Sequence, residues 1–151
     1  MINMKTIFVL FSVLLLAYSC ERDHGNRDFE DDPSIQNISG TWVVRSYEDY
    51  TFNNPVIRKS DVDSWNGMDV ILSFTSDSFY GRNTTNDVTG NFKISGRTIH
   101  VTSYGGSKVG QPQWGNMFSD IVYDLESFIM NRDQLRFFYN ENKNSVTLVP
   151  N

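Results

Sequence analysis

Gly40-Thr41-Trp42-Val43-Val44-Arg45-Ser46-Tyr47 is the stretch whose reading decides the fold class. It is β-branched and aromatic, and strict alternation places Trp42, Val44 and, if the pattern continues, Ser46 on one face of a strand. Downstream, residues 70–74 (VILSF) form a second such run, the turn Thr75-Ser76-Asp77 follows, and residues 78–81 form a third. Residues 90–94 and 98–101 flank Ser95-Gly96-Arg97, a short glycine-containing connection that reads as a hairpin. Residues 134–139 and 145–149 flank a polar turn, and Pro150, which has no N–H to donate, ends the pairing. Strands separated by tight turns, in a chain rich in Phe, Tyr, Val, Thr, Asn and Gly, imply a mainly β, antiparallel domain.

Three stretches do not read as strand. Residues 51–68 are broken by Asn53-Asn54-Pro55 and read as a long loop or a partly paired excursion. Residues 82–88 are a polar loop, and residues 104–112 are rich in Gly and Ser. The only helical periodicity beyond the leader follows, with Phe118, Ile121, Val122 and Leu125 at i, i+3, i+4 and i+7. Periodicity alone carries this helix to Ile129, yet Phe128 and Met130 also alternate as a strand does, and length does not separate the two.

The N-terminus gives an address. Lys5 precedes an apolar run over residues 7–17, then come Tyr18-Ser19-Cys20 and the charged Glu21-Arg22-Asp23. That is the layout of a secretory signal. About 11 apolar residues are too few for a transmembrane helix, which needs roughly 20. Cys20, the chain's only cysteine, follows the small Ser19 in a pattern that resembles the lipobox of bacterial lipoproteins, with Ala17 where many carry Leu. The resemblance implies a signal peptide over residues 1–19, diacylation of Cys20, and attachment to the cell envelope, expected at the outer membrane of a Gram-negative bacterium. Residues 21–39 (ERDHGNRDFEDDPSIQNIS) are dense in charge and nearly free of apolar side chains, so a flexible acidic tether is expected over 20–39 and a folded domain over 40–151. A random coil of that length spans about 25 Å.

About 130 residues beyond the leader suffice for one domain with its own core. No second cysteine exists, so no intrachain disulfide contributes. The chain carries 13 basic and 18 acidic side chains, net −5, and losing Lys5 with the leader makes it one charge more negative. Such a balance excludes nucleic acid as a natural partner. The expected contacts are the membrane, through the N-terminal lipid, and an unknown envelope protein or small ligand, with the protein itself a monomer.

From Gly40 to Val149 the chain resembles the META domain, also called HslJ-like (DUF306-type), of bacterial envelope lipoproteins. The matching residues are Gly40-Thr41-Trp42, then Gly81, Asn86 and Gly90 ahead of Phe92, then Ile94-Ser95-Gly96 through Val101. Phe118, Val122, Leu125, Phe128, Met130 and Arg132-Asp133-Gln134-Leu135 complete the pattern, with Arg132 in place of a Gly. The resemblance implies a small compact β domain with one short helix packed on its sheet, the helix covering about 113–123 and a strand covering 125–130. Many members carry Cys where this chain has Thr85 and Gly110, so the resemblance implies no thiol role here. It supports an envelope or stress-related role by analogy only. The Gly-Thr-Trp opening is also similar to lipocalin-like lipoproteins, in which the Trp closes one end of a barrel that carries a small apolar ligand.

Catalytic chemistry finds little footing. His24 falls in the tether, and His100 alternates with Ile99 and Val101 in a strand without an evident nucleophile and acid. Asp61, Asp63 and Asp69 suggest calcium, but Trp65 occupies a ligand place of the EF-hand pattern and Leu72 the closing one, so a solvated acidic loop is favoured. Asn86 reads as a residue that ties a tight loop through side chain to backbone bonds. Trp65, Tyr104 and Trp114 either bind sugars or peptides as exposed aromatics or cap the sheet, and packing is favoured. Asn37-Ile38-Ser39 and Asn83-Thr84-Thr85 match the N-glycosylation pattern, which a bacterial signal makes incidental. The expectation is a non-catalytic protein without metal or cofactor that binds or supports envelope components, the alternative being a lipocalin-like carrier. Cys20→Ala, exported with a cleavable secretory signal, is expected to move the protein from the membrane fraction to the soluble fraction with an unchanged melting transition. Retention at the membrane would show that the domain itself binds lipid or a partner.

Overall fold

The computed structural model describes residues 31–34, 37–51, 56–62 and 68–151; the leader, Cys20, His24, Asp63 and Trp65 lie outside these. The elements are β1 (Gly40–Asp49), β2 (Ile57–Arg58), α1 (Lys59–Val62), β3 (Val70–Phe74), β4 (Ser78–Asn83), β5 (Asn86–Ser95) and β6 (Thr98–Gly106). Then come α2 (Gln113–Ile121), a 3-10 turn (Val122–Asp124), β7 (Leu125–Met130), β8 (Leu135–Tyr139) and β9 (Asn144–Pro150). The domain is mainly β and antiparallel, with one short helix, α2, packed on it. Residues 113–130 divide into helix and strand as the META resemblance implies.

The strand order is β2-β1-β3-β4-β5-β6-β7-β8-β9, and β1 pairs with β9 as well. That second pairing runs from Trp42 opposite Pro150 to Asp49 opposite Asn144, so the order returns to its start. β1 divides its other edge: residues 40–43 pair with β3, and Ser46 and Tyr47 pair with β2. Pro150 sits within the ladder at its last position, opposite Trp42, where the missing N–H costs least.

Strict alternation fails in β1. Val44 lies opposite Leu148 and Ser46 opposite Thr147, so Arg45 is an extra residue, a β-bulge that reverses the faces beyond it. Tyr47 therefore joins Trp42 and Val44 in the core at 2% exposure, and Ser46, expected on that face, turns outward. There it donates to the Glu48 carboxylate, which also accepts from Ser145 Oγ and, at 3.0 Å, from Thr147 Oγ1. Three hydroxyls thus satisfy a carboxylate that is almost wholly buried on the outer face.

Two further expectations are corrected. The polar loop over 82–88 is mostly strand: β4 runs to Asn83 and β5 starts at Asn86, joined by Thr84-Thr85 with Thr84 at φ 57. Polar side chains misled there because Asn83, Thr84 and Asn86 are buried and hydrogen-bonded rather than solvated. The stretch 51–68 contains β2 and α1 among its described residues.

The tether also stops short of Ser39. Asp32 N–H donates to Met130 O at 2.8 Å, and Asp31 Oδ1 accepts from Met130 N–H at 2.8 Å and from Arg97 Nη2 at 2.9 Å. Arg97 in turn lies over the Phe128 ring, 5.2 Å from its centroid. Ile38 is 1% exposed, and its carbonyl accepts the Trp42 Nε1 proton at 3.0 Å. The segment is sparse in apolar residues, but one well-placed Ile and two aspartates that find partners are enough to dock it.

Because the strands alternate in direction, the starts of β1, β4, β6 and β8 share one end of the sheet with Asp31 and Ile38. The opposite end carries the turns at 84–85 and 140–143 and helix α2. Trp114, Phe118 and Val122 close that end, with Trp114 edge-on to Tyr47 at 5.0 Å. Phe74, Phe79, Phe92, Phe128 and Phe137 fill the interior between the two closures. Trp42→Ala removes a large side chain from this packing and a hydrogen bond to Ile38, so unfolding free energy is expected to fall by about 3 to 5 kcal/mol. A denaturant midpoint close to that of the parent would contradict this placement of β1.

Candidate functional site

Two clefts open near the helix-capped end, and hydrogen-bond accounting separates them. The smaller, about 640 Å³, is lined by Asn83, Asn86, Tyr104, residues 105–111, Asn116 and Ser119. Its amides are occupied save for Asn83 Oδ1, a buried acceptor without a partner. Asn86 Nδ2 donates to Val109 O at 2.9 Å and Gln111 Oε1 at 2.7 Å, while Asn86 Oδ1 accepts Val109 N–H at 2.7 Å. Gln111 Nε2 donates to Asn116 and Ser119. Asn83 Nδ2 reaches Gly115 O at 2.9 Å and Ser119 Oγ at 2.7 Å. This network stitches the glycine-rich loop and α2 to the start of β5, the structural use expected of Asn86. Asn83 is fully buried, so the sequon over 83–85 presents no accessible amide.

The other residues singled out in the sequence are also framework. A Cβ on Gly81 would lie 2.0 Å from Ile71 O, and one on Gly90 2.4 Å from the Phe79 ring, so both positions exclude any side chain. Phe118 is 1% exposed beneath Tyr104, and Trp114 is buried, as favoured over ligand stacking. Gly40, at φ 141, starts β1 beside Trp42. Asp61 accepts Arg58 N–H and Asp69 pairs with Lys59 at 2.7 Å, so the two carboxylates are engaged separately.

The larger cleft, about 900 Å³, lies where the sheet is weakest. β6 and β7 share a single residue pair, Thr98 opposite Ser127, beside which Arg97 O accepts Phe128 N–H at 2.9 Å. At the far end of the seam the Tyr123 hydroxyl accepts Tyr104 N–H at 3.0 Å and lies 3.2 Å from Tyr104 O. Between these stitches, residues 99–103 of β6 have no partner in β7. Ile99 and Leu125, both core residues, form the floor; Ile121, Tyr123 and Tyr139 form the walls.

The rim is acidic. Asp124, Glu126 and Glu141 line the cleft, with His100 from β6 and no lysine or arginine among the lining residues. Glu126 holds the adjoining turn: its two oxygens accept the N–H groups of Glu141 at 2.9 Å and Asn142 at 3.1 Å. That turn needs holding, since Asn140, Glu141 and Asn142 all have φ between 56 and 58, a left-handed run that only Asn tolerates well without glycine. Lys143 bonds the Glu141 carboxylate and lowers its pKa. Asp124 has no side-chain partner among the described residues. His100 is exposed, with no nucleophile paired to it among the described hydrogen bonds. Sequence reading missed Tyr123, Asp124 and Glu126, because the seam is a property of pairing and no local pattern announces a missing partner.

No family model matches the chain, and no curated protein does either. Solved structures share its fold. It is similar to the NMR structure of a protein from Burkholderia xenovorans, with 13% identity, a TM-score of 0.61, and coverage of 82% of this chain and 90% of that one. It is also similar to the crystal structure of a DUF4847 family protein from Bacteroides vulgatus ATCC 8482, with 16% identity, a TM-score of 0.55, and coverage of 75% and 93%. At such identities the likeness is one of fold.

Tyr139, on the cleft wall, has its phenol pKa pushed up to about 12, first by burial and then by the charges of Glu48 and Asp49. The neutral form is favoured in the folded state, so its contribution is complete below the ordinary value near 10 and is lost as pH rises through the folded value. The melting temperature is expected to fall less between pH 10 and 12 in Tyr139→Phe than in the parent. Parallel curves would contradict this account of Tyr139.

Proposed function

We propose that this chain is a lipid-anchored cell-envelope protein that works by binding, without catalysis, and that the seam between β6 and β7 is where it binds. The anchor rests on Cys20 and its leader, and the envelope role on the META resemblance. The observation that carries the binding reading is the contrast between the clefts: the smaller spends all but Asn83 Oδ1 of its buried amide groups on its own hydrogen bonds, whereas the seam offers an apolar floor, two tyrosines and Asp124, which has no side-chain partner among the described residues. Such a mixture suits ligand recognition.

The carrier reading draws support from the strand order, since neighbouring strands in sequence that close on the first are the layout of an up-and-down barrel. Against it stands the interior, where phenylalanines and the α2 aromatics occupy the axis that an apolar ligand would need. Asp31 and Ile38 dock at the end opposite α2 and the mouth of the seam.

A photo-crosslinking residue at His100, on the seam, and one at Tyr80, exposed on β4, test the proposal in cells that make the full protein. Defined adducts are expected from position 100 and not from position 80. Equal labelling at both, or none at position 100, would overturn it.

A further inference from the structure

We infer that residues 31–34 form a charge-held clasp on β7, one that opens and closes while the rest of the domain stays folded. β7 sets its place. Phe128 N–H donates to Arg97 O at 2.9 Å. Main-chain groups of an antiparallel strand alternate sides, so Met130, two residues on, turns its N–H and C=O the same way. The hairpin between β5 and β6 has already turned back there, since β5 ends at Ser95 and β6 starts at Thr98. Asp31 and Asp32 serve Met130 instead. Asp32 N–H donates to Met130 O at 2.8 Å, and Met130 N–H donates to Asp31 Oδ1 at 2.8 Å.

What holds residues 31–34 differs from what holds the chain just behind them. These four residues bury no apolar side chain. Among the described residues their attachment is polar: besides the two bonds to Met130, Arg97 Nη2 reaches both Asp31 oxygens, at 2.9 and 3.1 Å, and Asp32 O at 2.8 Å. The Arg97 and Asp31 side chains are 28% and 30% exposed, so salt screens their attraction. Ile38 is the next apolar anchor among the described residues, buried and held by the Trp42 indole, which donates to its carbonyl at 3.0 Å. Segments with few buried apolar contacts open far more readily than the whole domain unfolds. Opening therefore starts at Asp31 and stops at Ile38. Both halves of the clasp keep their shape when apart. Ser34 N–H and Oγ donate to Asp32 Oδ1, at 3.0 and 2.6 Å, a turn internal to the clasp, and Arg97 rests over the Phe128 ring. Preorganised halves reclose with little ordering cost.

The consequence is a movable boundary. With the clasp closed the fold begins at Asp31; with it open the fold begins at Ile38, and residues 31–37 release up to about 24 Å of chain. On the lipid-anchor reading, on which this consequence rests, the clasp sets how far the domain reaches from the membrane, and ionic strength changes that reach.

The test is amide hydrogen exchange followed by NMR on the full protein in mild detergent, a measurement indifferent to whether Cys20 is acylated. Asp31→Asn is the informative variant, because its side-chain oxygen still accepts Met130 N–H while the charge is gone. Met130 N–H is expected to exchange at least fivefold faster in Asp31→Asn than in the parent. In the parent it is expected to exchange at least threefold faster at about 0.5 M than at about 0.05 M NaCl, a salt effect that the variant lacks. The Trp42 indole N–H and the Phe128 amide are expected to keep their parental rates, which also shows that the variant folds. Equal Met130 rates in parent and variant, or a salt effect that persists in the variant, would overturn a clasp held by charge. Met130 and Trp42 indole rates rising by the same factor would overturn the boundary at Ile38. Neither result bears on the anchor, which the fractionation of Cys20→Ala tests separately.

Discussion

The double pairing of β1 is the constraint on which the rest of this structure depends. One edge of β1 serves β9 along its whole length, while the other is divided between β3 and β2. A flat strand does this poorly. The bulge at Arg45 bends β1 and adds twist, so that its two halves face different neighbours. The same extra residue assigns the faces: Trp42 and Val44 point inward before it, Tyr47 after it, and Ser46 and Glu48 are left on the outside. The hydroxyls of Ser46, Ser145 and Thr147 around Glu48 follow from that reversal, since a carboxylate covered on the outer face without them would be strongly destabilising.

Much of the framework was legible because it is local. Residues 70–74 alternate without interruption, and the hairpin at 95–98 is signalled by Gly96, whose φ of 59 an L side chain adopts with difficulty. The glycines at 81 and 90 could be singled out by position but not explained, because the atoms that exclude a side chain, Ile71 O and the Phe79 ring, come from other strands. Hydropathy failed where polar residues are buried. Asn83 and Asn86 look like loop residues until helix α2 supplies partners for the first and the loop at 107–111 for the second. It failed again at Asp31 to Ile38, where an acidic segment docks through a few placed contacts rather than through an apolar pattern. The seam was not legible at all, since its defining feature is a pairing that does not form.

Both clefts contain amides, hydroxyls and tyrosines, and composition alone would rate the smaller one the better polar site. Accounting for donors and acceptors lowers that ranking, since among the buried amide groups there only Asn83 Oδ1 is left unpaired. A buried amide that already makes its hydrogen bonds must break some to greet a ligand, and each break costs about as much as the new bond returns. Asn86 has both donors and its carbonyl engaged, so it is worth more as a tie between β5 and the loop than as a receptor. The seam differs because Asp124 on its rim has no side-chain partner among the described residues.

The seam follows from connectivity. Tight turns join β3 through β6 and β7 through β9, and each such turn brings its two strands into register at once. Between β6 and β7 the chain instead leaves at Gly106, crosses the open end of the sheet as α2, and returns at Leu125. The helix is needed there, because Trp114 and Phe118 close an end that would otherwise expose the phenylalanine core. Its bulk and the 3-10 turn that follows keep β7 from approaching β6 until Ser127 meets Thr98. Closing one end of the sheet therefore leaves a gap in its wall, and the Tyr123 hydroxyl limits that gap by standing in for a strand at Tyr104. A domain of this connectivity acquires a bounded, partly apolar groove as a consequence of filling its own interior, which puts the proposed site beside the core rather than within it.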